Sequence, residues 1–374
     1  MANSLFKRVI HALFHDRLLQ ALLLLGAVLT AFQPAAVRAF PRYVDWPTIV
    51  TLLGLLLLTK GVEVSGCFDW LGRGLMRRLQ RERTLALFLV AAAALLSTFM
   101  TNDVALFIVV PLTITLKKLS ALPVRRLIIF EALAVNAGSL LTPIGNPQNI
   151  LLWSRAGNSF AAFTWQMLPL AACVLLALLL VTWFSFPARR IKDVRLPEGV
   201  ACQRGLLAGC VLLYGMFLVC VEQGVAAWGL LAVAVGMLLL ARQVLAQVDW
   251  GLILVFIAMF IDIRLLVELA PLHPLFAQIA HLPEGGLYLL GIGLSQVISN
   301  VPATILLMNY VPSSALVAYA VNVGGFGVAI GSLANLIALR MANDRRIWWR
   351  FHLYSLPFLL LSALAGWGLL ALRG

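Results

Sequence analysis

Apolar residues run through this chain in long blocks from Leu18 to Leu370, separated only by short polar and basic segments. Nine blocks have the length of a single membrane crossing: about 18–33, 46–63, 126–153, 163–186, 204–222, 225–242, 249–267, 316–340 and 350–371. A helix of about 20 apolar residues spans the hydrocarbon core of a bilayer. Tryptophans mark many of the block ends, among them Trp46, Trp153, Trp165, Trp250 and Trp367, as interfacial anchors do. Two further blocks, about 84–116 and 285–313, are too long for one straight crossing. Roughly thirty residues of helix measure about 45 Å, against a core of about 30 Å. Each is interrupted midway by polar residues, Thr101-Asn102-Asp103 in the first and Ser299-Asn300-Val301-Pro302 in the second. Such a block either crosses once, tilted or kinked, or dips into the membrane and returns.

The basic residues decide between these. If both blocks return and the N-terminus is cytoplasmic, 22 Lys/Arg fall inside and 5 outside (Arg38, Arg42, Arg155, Arg264, Arg373), with Lys60 within a span. If both cross, the division is 14 to 13. Lys and Arg are retained on the cytoplasmic side, so the sequence predicts two re-entrant hairpins, a cytoplasmic N-terminus and a periplasmic C-terminus.

Composition agrees with a bilayer. The 374 residues are 62% hydrophobic and 11% charged, with a mean hydropathy of +0.98. A soluble domain carries far more polar surface. No polar stretch is long enough for a second domain, so residues 1–374 are expected to form one membrane domain in a bacterial inner membrane. The net charge of +13 would suit nucleic acid, but its residues sit in short clusters between apolar blocks rather than on one basic face. The five cysteines show no CxxC or Cys/His spacing, which gives no support for a zinc site or a disulfide framework. Lys7, Arg8 and Arg17 before Leu18–Phe32 resemble a signal peptide. The run is short and no convincing small-residue cleavage site follows it, and the repeat described next needs it as an uncleaved span.

The segment Ala134-Val135-Asn136-Ala137-Gly138…Ile144-Gly145…Asn149 returns 186 residues later as Ala320-Val321-Asn322-Val323-Gly324…Ile330-Gly331…Asn335. Seven of seventeen positions match without a gap. The hairpin tips pair too, Ser97, Thr101 and Asn102 with Ser295, Ser299 and Asn300, and Asp45-Trp46 has a counterpart in Asp249-Trp250. The expected fold is therefore an all-α polytopic membrane protein of two inverted repeats. Repeat one covers about 18–186, a linker span 204–222, and repeat two about 225–371. Each repeat reads span, span, hairpin, broken span, span. Inverted repeats with discontinuous helices at mid-membrane are how many secondary transporters build a site open to alternate sides.

The breaks carry the candidate chemistry. Gly138, Pro143, Gly145 and Pro147 cannot all sit in a continuous helix, since one interior proline costs about 3 kcal/mol. Irregular backbone in hydrocarbon is tolerated only where protein or an aqueous cavity surrounds it. Thr142-Pro143-Ile144-Gly145-Asn146-Pro147 should unwind, freeing carbonyls that suit a small cation and N–H groups that suit an anion. Ser97, Thr101 and Asn102 offer oxygens beside Asn136 and Gly138; Ser295, Ser299 and Asn300 do so beside Asn322 and Gly324. The sharp expectation is two cation sites, for sodium or protons, flanking one small anionic substrate. Its substrate contacts would be Thr142, Pro143, Gly145, Asn146 and Asn149 in the first half, and Pro302, Thr304, Gly331, Ser332 and Asn335 in the second. The plain alternative is that these residues merely cap buried helix ends; their pairing by repeat symmetry favours binding. Asp103 lies deep in the bilayer, where a lone carboxylate costs several kcal/mol, and is a candidate to bind a proton or coordinate a cation; its counterpart is Val301. Lys60 and Glu63, Asp262 and Arg264 lie near span ends and read as structural. Glu131, about 7 Å inside its span, could face a cytoplasmic access path, but for it too the structural reading is favoured. The amphipathic, basic stretch Ser65–Gln80 suits a helix on the inner surface, and 269–281 a second one outside.

Thr101-Asn102-Asp103 followed by Ala105 and Pro111, with Gly331-Ser332-Leu333-Ala334 in the second half, resembles the pattern of arsenite pump membrane subunits. Ser/Thr-Asn tips with a serine four residues earlier resemble the sodium-binding hairpins of dicarboxylate symporters. Nearly the whole chain is thus similar to the ion transporter superfamily of citrate transporter-like proteins. The resemblance implies an elevator mechanism in a homodimer, with cation sites at Ser97, Thr101, Asn102 and Gly138 and at Ser295, Ser299, Asn300 and Gly324. Asp103 and Val301 replace the threonine that helps dicarboxylate symporters hold their substrate.

The function expected is secondary active transport of a small anion or oxyanion, a carboxylate or arsenite-like, coupled to protons or sodium. A passive channel, or the membrane subunit of an ATP-driven pump, is the alternative; the chain has no GxxxxGK[ST] loop of its own. An enzyme is not expected, because no Ser/His or His/Cys constellation lies in the spans, and neither is a resident cofactor.

Overall fold

The computed structural model describes residues 16–67, 70, 78–119, 122–191, 202–248 and 250–372. Among them the chain is helical, and its one β-type contact is an isolated bridge between Arg81 and Arg190. The principal helices are α1 (Arg17–Phe32), α2 (Trp46–Val64), α3 (Glu82–Phe99), α4 (Asn102–Leu119), α5 (Val124–Ser139), α6 (Pro147–Ala156), α7 (Phe160–Ser185), α8 (Arg204–Glu222), α9 (Ala226–Ala241), α10 (Trp250–Val267), α11 (Glu284–Ile298), α12 (Asn300–Leu307), α13 (Ala315–Gly324), α14 (Leu333–Met341) and α15 (Arg345–Ala371).

Local chemistry sets their ends. A free N–H in the first turn is best satisfied by a short polar side chain. The Thr48 N–H donates to Asp45 (3.1 Å) at the start of α2, and the Asn149 N–H to Asn146 (2.8 Å) at the start of α6. Pro147 follows that cap, where its missing N–H costs nothing. Gly157, at φ 66°, closes α6 in the left-handed conformation that glycine adopts without strain.

Among the described residues, six helices are long and apolar enough to cross a membrane: α2, α3, α7, α8, α10 and α15. The blocks read as spans 18–33 and 225–242 become 16-residue helices, α1 and α9. Blocks 126–153 and 316–340 are each divided, into α5 and α6 and into α13 and α14. The two overlong blocks divide as well, at Met100–Thr101 and at Ser299. Ser299 stands at φ 74°, strained for a non-glycine residue. Both arms of the first pair, α3 and α4, pack on α5, and both arms of the second, α11 and α12, pack on α13.

The helices separate into two compact units. Unit 1 holds α1, α2, α8, α9 and α10. Gly54 and Gly61 let neighbouring side chains close on α2: a Cβ on Gly54 would stand 2.2 Å from the Phe217 ring, and one on Gly61 2.7 Å from Cys210 Sγ. Unit 2 holds α3–α7 and α11–α15, among them the helices into which blocks 84–116, 126–153, 285–313 and 316–340 divide. Its centre is α5, buried continuously from Leu127 to Ser139. Phe130 packs edge-on against Phe186 and Tyr354, with centroids 5.3 and 5.2 Å away.

Lys60 and Glu63 form an ion pair at 2.7 Å. The 269–281 segment forms short helical turns, Ala270–Leu272, His273–Ala277 and Gln278–His281. Most of the amphipathic arm within 65–80, including Phe68, Leu71, Arg73 and Arg77, lies outside the described residues, as do Lys7, Arg8 and Asp249.

Candidate functional site

Every candidate site residue falls in unit 2. The site begins with α5 and α13, whose last turns each carry an asparagine and a glycine in an apolar helix. Asn136 and Asn322 are 4% and 3% exposed. A buried amide must find partners or lose roughly 1–3 kcal/mol per unmet group. Each donates back to its own helix, Asn136 to the Ala132 carbonyl (3.0 Å) and Asn322 to that of Ala318 (2.8 Å). Each also donates to the far arm of the other broken helix: Asn136 Nδ2 to Asn335 Oδ1 at 2.8 Å, Asn322 Nδ2 to Asn149 Oδ1 at 2.7 Å. The two broken helices are thus cross-braced by reciprocal amide bonds.

The remaining contacts keep the same register. Ser332 Oγ donates to Asn136 Oδ1 (2.9 Å), and its counterpart Asn146 donates to Asn322 Oδ1 (2.9 Å). Asn335 donates to the Gly325 carbonyl (2.9 Å), and Asn149 to that of Ser139 (3.2 Å). Asn149 also reaches the Leu140 and Thr142 carbonyls, at 3.3 and 3.0 Å. The carbonyls released by unwinding at Ser139, Leu140 and Thr142 are therefore held by Asn149, whose amide is spent on bracing.

The hairpin tips close on this frame. The Asn102 N–H donates to the Gly145 carbonyl (2.9 Å), and its side chain reaches Asn136 at 3.4 Å. Asn102 Oδ1 accepts from the N–H of Asp103 (3.0 Å), which is 1% exposed. Ser97 lies so close to Gly138 that a Cβ there would sit 2.5 Å from its hydroxyl and 1.9 Å from the Ala94 carbonyl. In the second half, a Cβ on Gly324 would sit 2.4 Å from Ser295 Oγ, and one on Gly325 3.2 Å from Asn300 Nδ2. Thr142 donates to the Thr98 carbonyl at 2.5 Å, and Thr304 to that of Asn300 at 2.7 Å. Pro143 and Pro302 are buried beside these contacts, and the Gly331 N–H donates to Val328 (2.8 Å).

Several participants carry no motif. Thr98 donates to the Gly138 carbonyl (3.2 Å), as Gln296 does to that of Gly324 (2.6 Å). Each follows the tip serine directly, and that shared position was the available signal. Gln148 reaches Asn322 at 3.5 Å. His352 Nε2 accepts from the Ala329 N–H at 3.2 Å, so one histidine touches the second break. Glu131 is fully enclosed and hydrogen-bonded to Thr113, which agrees with the structural reading of it.

Two oxygens in the network are buried and have no hydrogen-bond partner: Thr101 Oγ1 and Gln148 Oε1. Around them the breaks bring together the N-terminal ends of α4, α6, α12 and α14 and the C-terminal ends of α3, α5, α11 and α13. The first set favours negative charge and the second positive charge. None of the networked residues is Lys or Arg.

A family model described as citrate transporter matches residues 12–317. The chain is 61% identical over 360 residues to the inner membrane protein YbiR of Escherichia coli (strain K12), covering 96% of both. It is 30% identical over 303 residues to an uncharacterized transporter of Methanocaldococcus jannaschii, covering 80% of this chain and 82% of the relative. The P protein of Mus musculus is 29% identical over 181 residues, 46% of this chain and 21% of that protein. This chain is a membrane transporter and belongs to the citrate transporter family.

Proposed function

We propose that the chain is a secondary active transporter that moves a small anion, a carboxylate or an oxyanion, with protons or sodium as the coupling ion. The observation that carries this reading is the cross-braced pair of broken helices, which gathers helix ends of both polarities around buried, partnerless oxygens. Anion N–H contacts come from the starts of α4, α6, α12 and α14. No arginine or lysine stands among the networked residues to balance the anion, and Asp103 adds a carboxyl of its own. Co-bound cations at the two hairpin tips supply the missing positive charge, and this makes anion binding depend on them. The family description names citrate, so citrate heads the substrates to be tried. The network lies wholly in unit 2, and the two hairpins and broken helices would travel as one body in an elevator movement, within a homodimer.

The test is flux into proteoliposomes under imposed sodium or proton gradients. Uptake should follow a gradient and collapse with ionophore. Asn102→Ala, Asn300→Ala and Asp103→Asn should each lower it at least tenfold while the protein stays monodisperse. Uptake that persists without any gradient, or is unchanged in all three variants, would overturn the reading.

A further inference from the structure

Outside this network, unit 1 encloses a buried acid of its own. Asp262 sits on α10, five residues before its end, and is 3% exposed. Its Oδ1 lies against α1, where a Cβ on Gly26 would stand 2.5 Å away, so glycine makes the room for it. Its Oδ2 has no hydrogen-bond partner. None of the ion pairs among the described residues includes it.

Arg264, Glu268 and Lys60 are committed elsewhere. On α10 itself Arg264 donates to Asn309 Oδ1 at 2.5 Å, and Glu268, just beyond the helix, accepts from Tyr43. On α2 Lys60 pairs with Glu63. Arg17 is the one charged residue of α1, at the end far from Gly26. Arg42 is the one charged residue of the Phe40–Tyr43 turn packed on α10.

Asp262 lines a cavity of about 560 Å³ whose other walls include Leu23, Ala27, Thr30, Pro34 and Phe40. Thr30 spends its hydroxyl on the Gly26 carbonyl at 2.6 Å. The carboxyl is thus the one polar side chain of this apolar cavity's lining that is not spent within its own helix. That size falls within the 300–1,000 Å³ typical of small-molecule sites. A charged carboxylate at such a place costs several kcal/mol unless a cation joins it. No group of three or more metal-ligating side chains exists among the described residues, so a bare metal ion would find too few oxygens. An ammonium group on an apolar body meets both demands, with its charge on Asp262, its chain on the aliphatic walls and the Phe40 ring alongside.

We propose that this cavity is a binding site for a primary ammonium group carried on an apolar chain, held by Asp262 and admitted by Gly26. A phosphatidylethanolamine headgroup and a free alkylamine share that chemistry. The test uses the full chain in nanodiscs and reads the thermal unfolding midpoint. In phosphatidylcholine discs, dodecylamine should raise the midpoint saturably and dodecanol should not. Asp262→Asn should weaken the dodecylamine response at least tenfold. Ala27→Phe, which fills the cavity and leaves the acid in place, should do the same and covers the case in which Asp262→Asn misfolds. If the lipid is the natural occupant, discs containing phosphatidylethanolamine raise the wild-type midpoint but not that of Asp262→Asn, and dodecylamine then adds little. With a free amine as occupant, dodecylamine acts equally in both discs. Equal responses to dodecylamine and dodecanol, or a wild-type response in both variants, would overturn the proposal. So would variants that dissociate a dimer without changing the amine response, because a second copy would then be what covers the cavity.

Discussion

The two breaks of unit 2, 140–146 and 325–332, are braced alike but built to different tolerances. In the first, Gly138 meets the backbone carbonyl of Ala94; in the second, Gly324 meets the side chain of Ser295. Asn149 gathers three carbonyls where Asn335 takes one. Asp103 and Glu131 belong to the first half, and their counterparts are Val301 and Val317. What the halves share is the frame, the four asparagines and two glycines. The first break adds Pro143 and backbone-tight packing, and Asp103 and Glu131 stand on its side. Symmetry thus marks the architecture, and departures from it mark where charge is handled.

The largest expected effect comes from that difference in tightness. Gly138→Ala drives a methyl group into backbone that cannot step aside and should cost about 3 kcal/mol in mixed-micelle unfolding. Gly324→Ala should cost about 1–2 kcal/mol, and Ser295→Gly should rescue it. Ser97→Gly should not rescue Gly138→Ala, because the Ala94 carbonyl remains; equal rescue in both halves would remove the distinction.

Next comes the brace itself. Double-mutant cycles of Asn136→Ala with Asn335→Ala, and of Asn322→Ala with Asn149→Ala, should give similar couplings of about 1–2 kcal/mol. Coupling in one cycle only would show that the frame is not shared.

Thr101→Val is the sharper probe of function. Its hydroxyl is buried without a partner, so an isosteric methyl should leave stability within about 1 kcal/mol or raise it. The response of stability and flux to the coupling ion should nonetheless be lost. A variant with an intact ion response would remove Thr101 from the cation site.

The smallest effect lies at the start of α15. Asp344 caps that helix, and the Arg346 N–H, with the Arg125 guanidinium beside it, holds its carboxyl below the usual carboxylate range. A depressed carboxyl stabilises above its unfolded value of about 3.9 and loses that contribution as pH falls through the folded value. The midpoint difference between wild type and Asp344→Asn should therefore be small near pH 7 and shrink on acidification below about pH 4. A difference that grew on acidification would reverse the sign.

The breaks were legible in the sequence because Pro143, Pro147 and the paired glycines act locally on the backbone. The helix divisions at Thr101 and Ser299 were legible because polar residues interrupted blocks too long for one span. The cross-bracing was not. Asn136 and Asn335 are 199 residues apart, and no local pattern says which asparagine meets which. Nor did the sequence show that the Asn149 amide is taken up by carbonyls of its own break. Depth along the helix did not show how Glu131 is covered; the packing of unit 2 encloses it. Asp262 read as a structural charge near a span end, and only the Gly26 contact shows how it is enclosed.

The central claim is that anion and cation bind one site in unit 2 and need each other. Anion affinity of the purified protein, measured by calorimetry across sodium concentration and pH, tests it most directly. Linkage requires the coupling to be reciprocal: raising the coupling ion should tighten the anion at least tenfold, and saturating anion should tighten the ion by the same factor. Anion affinity indifferent to both sodium and protons would contradict the account.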